Sequence, residues 1–203
     1  YPLDSTADAA YLYRYRKTYF RYNNDKGFEI ITDYYERIKI YNKEGFEKAN
    51  KSISYYKPES GDNVKVTNIK GYSYSLESGK IIKQKLSKNS IFNEKKSKYT
   101  SVKKITFPNI KIGSVIDIKY RRISPFINDI DDQFDIPVKK LDYTVEIPEY
   151  YTFSVKSKGY YHVPVVKSSK SGKYNYKYSE TGVFNKKYTY KGEQNYTINK
   201  SEY

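Results

Sequence analysis

Ser114-Val115-Ile116-Asp117-Ile118-Lys119-Tyr120-Arg121-Arg122-Ile123 decides the fold of this chain. Ile116, Ile118 and Tyr120 fall on one side of an extended backbone, and Val115 and Asp117 on the other. A spacing of two belongs to a strand, whereas a helix groups residues three and four apart. Isoleucine, valine and tyrosine also fit a pleated, half-buried surface. Residues 109–113 supply a turn before the strand, and Pro125 stops it.

The same reading extends in both directions. Tyr11, Tyr13 and Tyr15 alternate with Leu12, Arg14 and Arg16, giving an aromatic face and a mostly charged one. Residues 28–41 read as one long strand, or as two joined at a bulge near Tyr34-Tyr35, preceded by an Asn/Asp/Gly turn at 23–27. Residues 42–49 read as a helix of about two turns with Asn42 at its N-cap, weakened by Gly45. Residues 53–56 and 64–74 read as strands, with a hairpin turn at 76–82. The Lys-rich stretch 83–98 reads as a loop or edge region, since lysine keeps edge strands from pairing with neighbours. Strands follow at 102–107, 142–147 and 151–156, and Tyr/Lys ladders typical of solvent-facing sheet occupy the C-terminal part. Turn signals about every 8–12 residues, without helices between strands, predict an all-β fold. The expectation is an antiparallel β-sandwich with Greek-key-like connections and one or two short helices at most. Residues 1–10 read as an N-terminal linker and 11–203 as the sandwich domain.

Composition narrows the function. The 203 residues include no cysteine and one histidine, His162. A thiol nucleophile is therefore excluded within these residues. A Ser–His–acid triad, and hence an independent hydrolase, would need His162 beside a serine and an acid in a cleft. Zinc loses its two favoured ligand types, so His162 reads as a histidine with a satisfied hydrogen bond. The chain is read as non-catalytic and without a cofactor. Its 27 Tyr and 9 Phe supply core mass that disordered segments lack. A net charge of +15 is carried mostly by lysines spread along the chain. Lysine is a solvated point charge rather than the planar fork that reads bases and phosphates, so no nucleic-acid partner is expected. No run approaches the roughly 18 apolar residues of a membrane-spanning helix. Residue 1 is Tyr rather than Met, so the chain reads as processed or trimmed.

Three clusters could bind something. Tyr11, Tyr13, Arg14, Tyr15 and Arg16 form an aromatic–basic strand suited to stacking on a sugar or single-stranded nucleic acid or to a protein partner, or else an amphipathic strand with one buried tyrosine face. Tyr174, Tyr176 and Tyr178 repeat that pattern near the C-terminus. Asp129, Asp131, Asp132 and Asp135 could offer oxygen ligands to calcium, but without the glycine and terminal glutamate of an EF-hand loop. The bland reading of that segment is a solvated acidic loop. Asp4-Ser5-Thr6 resembles a short bacterial O-glycosylation acceptor, or is simply linker.

The order of segments adds a resemblance. Phe107-Pro108-Asn109-Ile110-Lys111-Ile112-Gly113-Ser114-Val115-Ile116-Asp117-Ile118-Lys119-Tyr120 resembles a family segment with Phe-Pro, a glycine turn and a strand ending in tyrosine. Ser124-Pro125, Phe134-Asp135-Ile136-Pro137-Val138 and Val145-Glu146-Ile147-Pro148-Glu149-Tyr150-Tyr151 follow in order. Gly27-Phe28-Glu29-Ile30-Ile31-Thr32 and Arg37-Ile38-Lys39-Ile40-Tyr41-Asn42-Lys43-Glu44-Gly45 precede it. Together they resemble family 3857 of the domains of unknown function, over roughly residues 10–203. The acidic segment Asp129-Ile130-Asp131-Asp132-Gln133-Phe134 departs from it in lacking a tryptophan. The resemblance implies an exported protein, in the periplasm or at the outer membrane of a Gram-negative bacterium. It also implies a transglutaminase-like domain following in a longer chain. The expected role is a scaffold or docking module that holds an adjacent domain or binds another envelope protein. The alternative is a carbohydrate- or peptidoglycan-binding module.

Overall fold

The computed structural model describes residues 4–23, 27–126, 134–148, 151–152, 165–179 and 183–201, the last two segments as backbone only. Among these residues the chain forms eleven strands and two 3-10 helices. The strands are β1 (Ala9–Asn23), β2 (Gly27–Ile40), β3 (Asn50–Tyr56), β4 (Lys65–Glu77), β5 (Lys80–Lys85) and β6 (Ile91–Lys95). They continue with β7 (Thr100–Thr106), β8 (Val115–Ser124), β9 (Lys140–Pro148), β10 (Val165–Ser179) and β11 (Val183–Ser201). The larger sheet runs β10-β11-β9-β1-β2-β8-β4-β5, and the smaller runs β3-β7-β6. The all-β expectation is met, and the helices are confined to Glu44–Ala49 and Lys88–Ser90.

One pairing is not antiparallel. β9 lies parallel to β1, from Arg14 opposite Leu141 to Thr18 opposite Val145. The β1–β2 hairpin already occupies the other edge of β1. The chain returns to the free edge from a distance rather than through a tight turn, as parallel pairing requires. Its direction is fixed where the Tyr11 amide donates to the Pro137 carbonyl and the Lys139 amide to the Tyr11 carbonyl, both at 2.8 Å.

Local chemistry explains several boundaries. The β4–β5 hairpin turns on Ser78 and Gly79, both at positive φ, between the paired Glu77 and Lys80. That is the primed two-residue turn whose twist suits a hairpin. The 3-10 helix starts at Glu44, yet Asn42 still accepts the Gly45 amide at 3.0 Å. β2 is continuous through Tyr34-Tyr35, and the irregularity lies across from it, between Tyr11 and Tyr13 of β1. The Lys-rich stretch 83–98 contains the end of β5 and all of β6, an edge strand in each sheet.

The main core lies between the two sheets. Ile38, Ile40, Val66, Ile116 and Ile118 of the larger sheet meet Ile53, Tyr55 and Ile105 of the smaller one, with Phe107 beside them. A lesser cluster of Phe20, Ile30 and Ile147 sits further along the larger sheet. Strand alternation therefore gives the larger sheet an inner face toward the core and an outer face that the smaller sheet leaves uncovered.

Candidate functional site

The structure divides the aromatic–basic strand between these faces. Tyr11, Arg14 and Arg16 lie inward, and Tyr13 and Tyr15 outward. The shift in register between Tyr11 and Tyr13 breaks what would otherwise be one line of three tyrosines.

The inner set is engaged. Arg14 Nη2 donates to Glu36 Oε1 at 3.0 Å, and Lys51 of β3 donates to the other oxygen of Glu36. Glu36 is almost fully buried, so this triad is a charge cluster spanning the two sheets. The Arg14 guanidinium lies 3.7 Å from the Phe134 ring centroid and 4.4 Å from that of Tyr11. Arg16, also buried, lies 5.6 Å from the Tyr34 ring, which stacks on Tyr120 at 4.6 Å. Burial pushes the Tyr11 hydroxyl up to about 12, with the Glu36 charge adding to it. Burial likewise raises Tyr143 to about 12 and holds Tyr120 well above its ordinary value. With both Glu36 oxygens held by cations and these phenols kept neutral, the cluster suits packing rather than proton transfer.

The outer face is built from three rows that cross the strands. In one, Arg37 and Asp117 face each other and form a two-point ion pair at 2.7 and 2.8 Å. The hydrogen bond to Asp117 raises Arg37 above its ordinary value. In another, Asp33 and Arg121 form the same arrangement at 2.6 and 2.9 Å. Between them runs Tyr15 opposite Tyr35, Tyr35 opposite Lys119, and Lys119 opposite Lys70. Tyr13 packs on Tyr35 with ring centroids 5.8 Å apart. Burial raises Tyr13 to about 12, helped by its hydrogen bond to Asp142. Further along, Lys83 sits 4.1 Å from the Tyr72 ring and 5.7 Å from Tyr74.

A shallow cavity of about 430 Å³ opens over the middle row. Tyr15, Tyr35, Lys70, Lys119 and the Asp33–Arg121 pair line it, together with Asn68, Tyr34 and Tyr120. Asn68 has φ of 55° at the irregularity in β4, where pairing slips between Thr67 and Lys70. Of this site the sequence reading named Tyr13 and Tyr15 and missed Tyr35, Lys70 and Lys119. The signal was weak: Tyr35 and Lys119 are outward residues of strands whose inward neighbours read clearly, and only register places them together.

The other candidates fall elsewhere. Asp129, Asp131, Asp132 and His162 lie outside the described residues. Asp135 pairs with Lys48 at 2.6 Å, which holds its carboxyl below the usual range. Among the described residues no three His, Cys, Asp or Glu gather to hold a metal. Tyr174, Tyr176 and Tyr178 belong to β10, with side chains outside the described set. Asp4 accepts from the amide and the hydroxyl of Thr6 at 3.0 and 2.7 Å, which makes Asp4-Ser5-Thr6 a local turn.

Fold and face together define a two-sheet all-β module with an aromatic and basic outer surface. The chain belongs to the family described as Domain of Unknown Function with solved-structure structure (DUF3857), which matches residues 30–183. It is similar in fold to a protein from Parabacteroides distasonis described as a candidate protease, at 14% identity and a TM-score of 0.57. That similarity covers 97% of this chain and 36% of the Parabacteroides protein, so this chain spans about a third of that protein's length. Yeast LTA4 hydrolase, solved in complex with bestatin, aligns over 93% of this chain and 28% of its own, at 10% identity and a TM-score of 0.35. No curated protein matches the chain. No helix among the described residues is long and apolar enough to cross a membrane.

Proposed function

We propose that this chain is a non-catalytic module of a larger bacterial envelope protein, and that its outer sheet face docks it onto an adjoining domain or another envelope component. The observation that carries this reading is the outer face, which the smaller sheet leaves uncovered among the described residues. Tyr13, Tyr15, Tyr35, Tyr72 and Tyr74 share it with lysines, and among the described residues the main core lies on the opposite side, between the sheets. Tyrosines that present a flat ring beside a polar tip favour an interface at small cost in side-chain entropy. Family membership and the partial coverage of the Parabacteroides protein support a role inside a longer chain; a transglutaminase-like domain after it is what the order of the sequence motifs implies. The matched protein's description as a candidate protease is consistent with catalysis residing in such a neighbouring domain.

The test uses the chain as bait on solubilised envelope membranes, beside a Tyr13→Ala/Tyr72→Ala variant whose circular dichroism matches the parent. A partner captured in stoichiometric amount by the parent and lost by the variant supports docking through this face. Capture equal in both removes the outer face from the proposal. The cavity favours a second reading, carbohydrate binding, because two rings and two cations converge there.

A further inference from the structure

The middle row of the outer face contains a conflict that its neighbours do not. Lys119 and Lys70 lie directly opposite each other on adjacent strands, and both are exposed. Like charges facing each other across a strand pair destabilise a sheet. In the row on one side Arg37 is matched to Asp117, and in the row on the other Arg121 is matched to Asp33. No carboxylate within the described residues forms an ion pair with Lys70 or Lys119. The sequence thus neutralises the cations on either side and leaves two positive charges together in the cavity.

We propose that the cavity binds a saccharide bearing a carboxylate, its anionic group between Lys119 and Lys70 and a sugar ring on Tyr35 and Tyr15. This rests on the reading of the outer face as the binding face and gives that face a ligand class. The four residues form one row across β1, β2, β8 and β4, about 14 Å long at the usual strand spacing. Half the row is aromatic and half cationic, so the ligand must be anionic at one end and carry an apolar face at the other. A sugar acid combines both. Its C–H face packs on tyrosine, its carboxylate takes two lysines, and Asn68 beside them can bond a hydroxyl. Nucleic acid fits less well. Arg37 and Arg121, the forks that grip phosphates, are already committed to carboxylates.

The experiment is a nuclear magnetic resonance titration of the isotope-labelled 203-residue chain with three probes: an oligogalacturonate, a neutral galacto-oligosaccharide of equal length, and inorganic phosphate. The oligogalacturonate is expected to shift the amides of Tyr15, Tyr35, Asn68, Lys70 and Lys119, and to bind about tenfold or more tighter than either other probe. Lys70→Gln/Lys119→Gln should remove that advantage without disturbing the remaining spectrum, and Tyr35→Leu should weaken binding with both lysines in place. Equal affinity for the neutral sugar, or phosphate binding as tightly at the same amides, overturns the proposal. So does unchanged oligogalacturonate binding by the double lysine variant. If the saccharide fails while envelope capture still depends on Tyr13 and Tyr72, the ligand class is wrong and the docking face stands.

Discussion

The two faces of the larger sheet use the same residue types to opposite ends. Inward, Arg14 and Lys51 close on one buried carboxylate, Glu36, and aromatic rings pack around them. Outward, two tyrosines and two lysines share one row, and no carboxylate among the described residues forms an ion pair with Lys70 or Lys119. Burial makes the difference: a charge that loses water must find a counter-charge, whereas one facing solvent can wait for a ligand. A basic strand is thus no guide to a binding site until its face is known.

The sharpest way to break the comparison is to remove the inner counter-charge. Glu36→Gln keeps the shape but leaves Arg14 and Lys51 without their shared carboxylate in a buried setting. Stranding buried charges in this way costs about 3–5 kcal/mol. Urea unfolding should show the midpoint falling with an unchanged slope. A loss below about 1 kcal/mol would place this triad among surface ion pairs and erase the distinction between the faces.

Alkaline pH probes the same face without mutation. Tyr11 and Tyr143 are held at about 12, above the ordinary value of 10.0, chiefly by burial. A raised folded-state value means that the fold favours the neutral phenol. Their contribution is fully present below pH 10 and is lost as pH rises through about 12. A tenfold change in an ionisation constant corresponds to about 1.4 kcal/mol, so a shift from 10.0 to about 12 corresponds to a contribution on the order of 3 kcal/mol from each phenol. Thermal unfolding followed by circular dichroism should therefore shift downward across that window, with tyrosinate absorbance rising in step. Because the Glu36 charge also raises Tyr11, Glu36→Gln should let Tyr11 ionise at lower pH.

Packing beside the outer face is tested at Gly71. A Cβ there would lie 2.6 Å from the Phe107 ring and 2.9 Å from the Asp117 carbonyl oxygen. Gly71→Ala should cost about 1–3 kcal/mol through overpacking, and a crystal structure should show the Phe107 ring displaced. A variant as stable as the parent would mean that the core beneath β4 repacks freely.

Much of the fold was legible because period-two patterns and turn residues are local. Ile116, Ile118 and Tyr120 announce β8, and Ser78-Gly79 announces the β4–β5 turn. The parallel β1–β9 pair left no local mark, since it depends on where a distant segment returns. Nor did the inward direction of Arg14 and Arg16, which follows the register shift between Tyr11 and Tyr13 and brings Arg14 to Glu36 on the next strand and Arg16 to the Tyr34 ring. The binding row joins residues 15, 35, 70 and 119, so nothing short of strand register brings them together.

The smallest expected effect has the opposite sign. Lys119→Glu places a carboxylate across from Lys70 and turns a like-charged pair into an opposite one. Cross-strand charge pairs contribute roughly 0.2–1 kcal/mol, so the variant should be slightly more stable than the parent. The gain should shrink as salt is raised, because both groups are exposed. A gain in stability at a position where binding is lost is the mark of a residue kept for its ligand rather than for the fold. If thermal scans show Lys119→Glu to be destabilising at low salt, then Lys119 supports the sheet in its own right. The two faces would then differ only in exposure and not in what their charges are for.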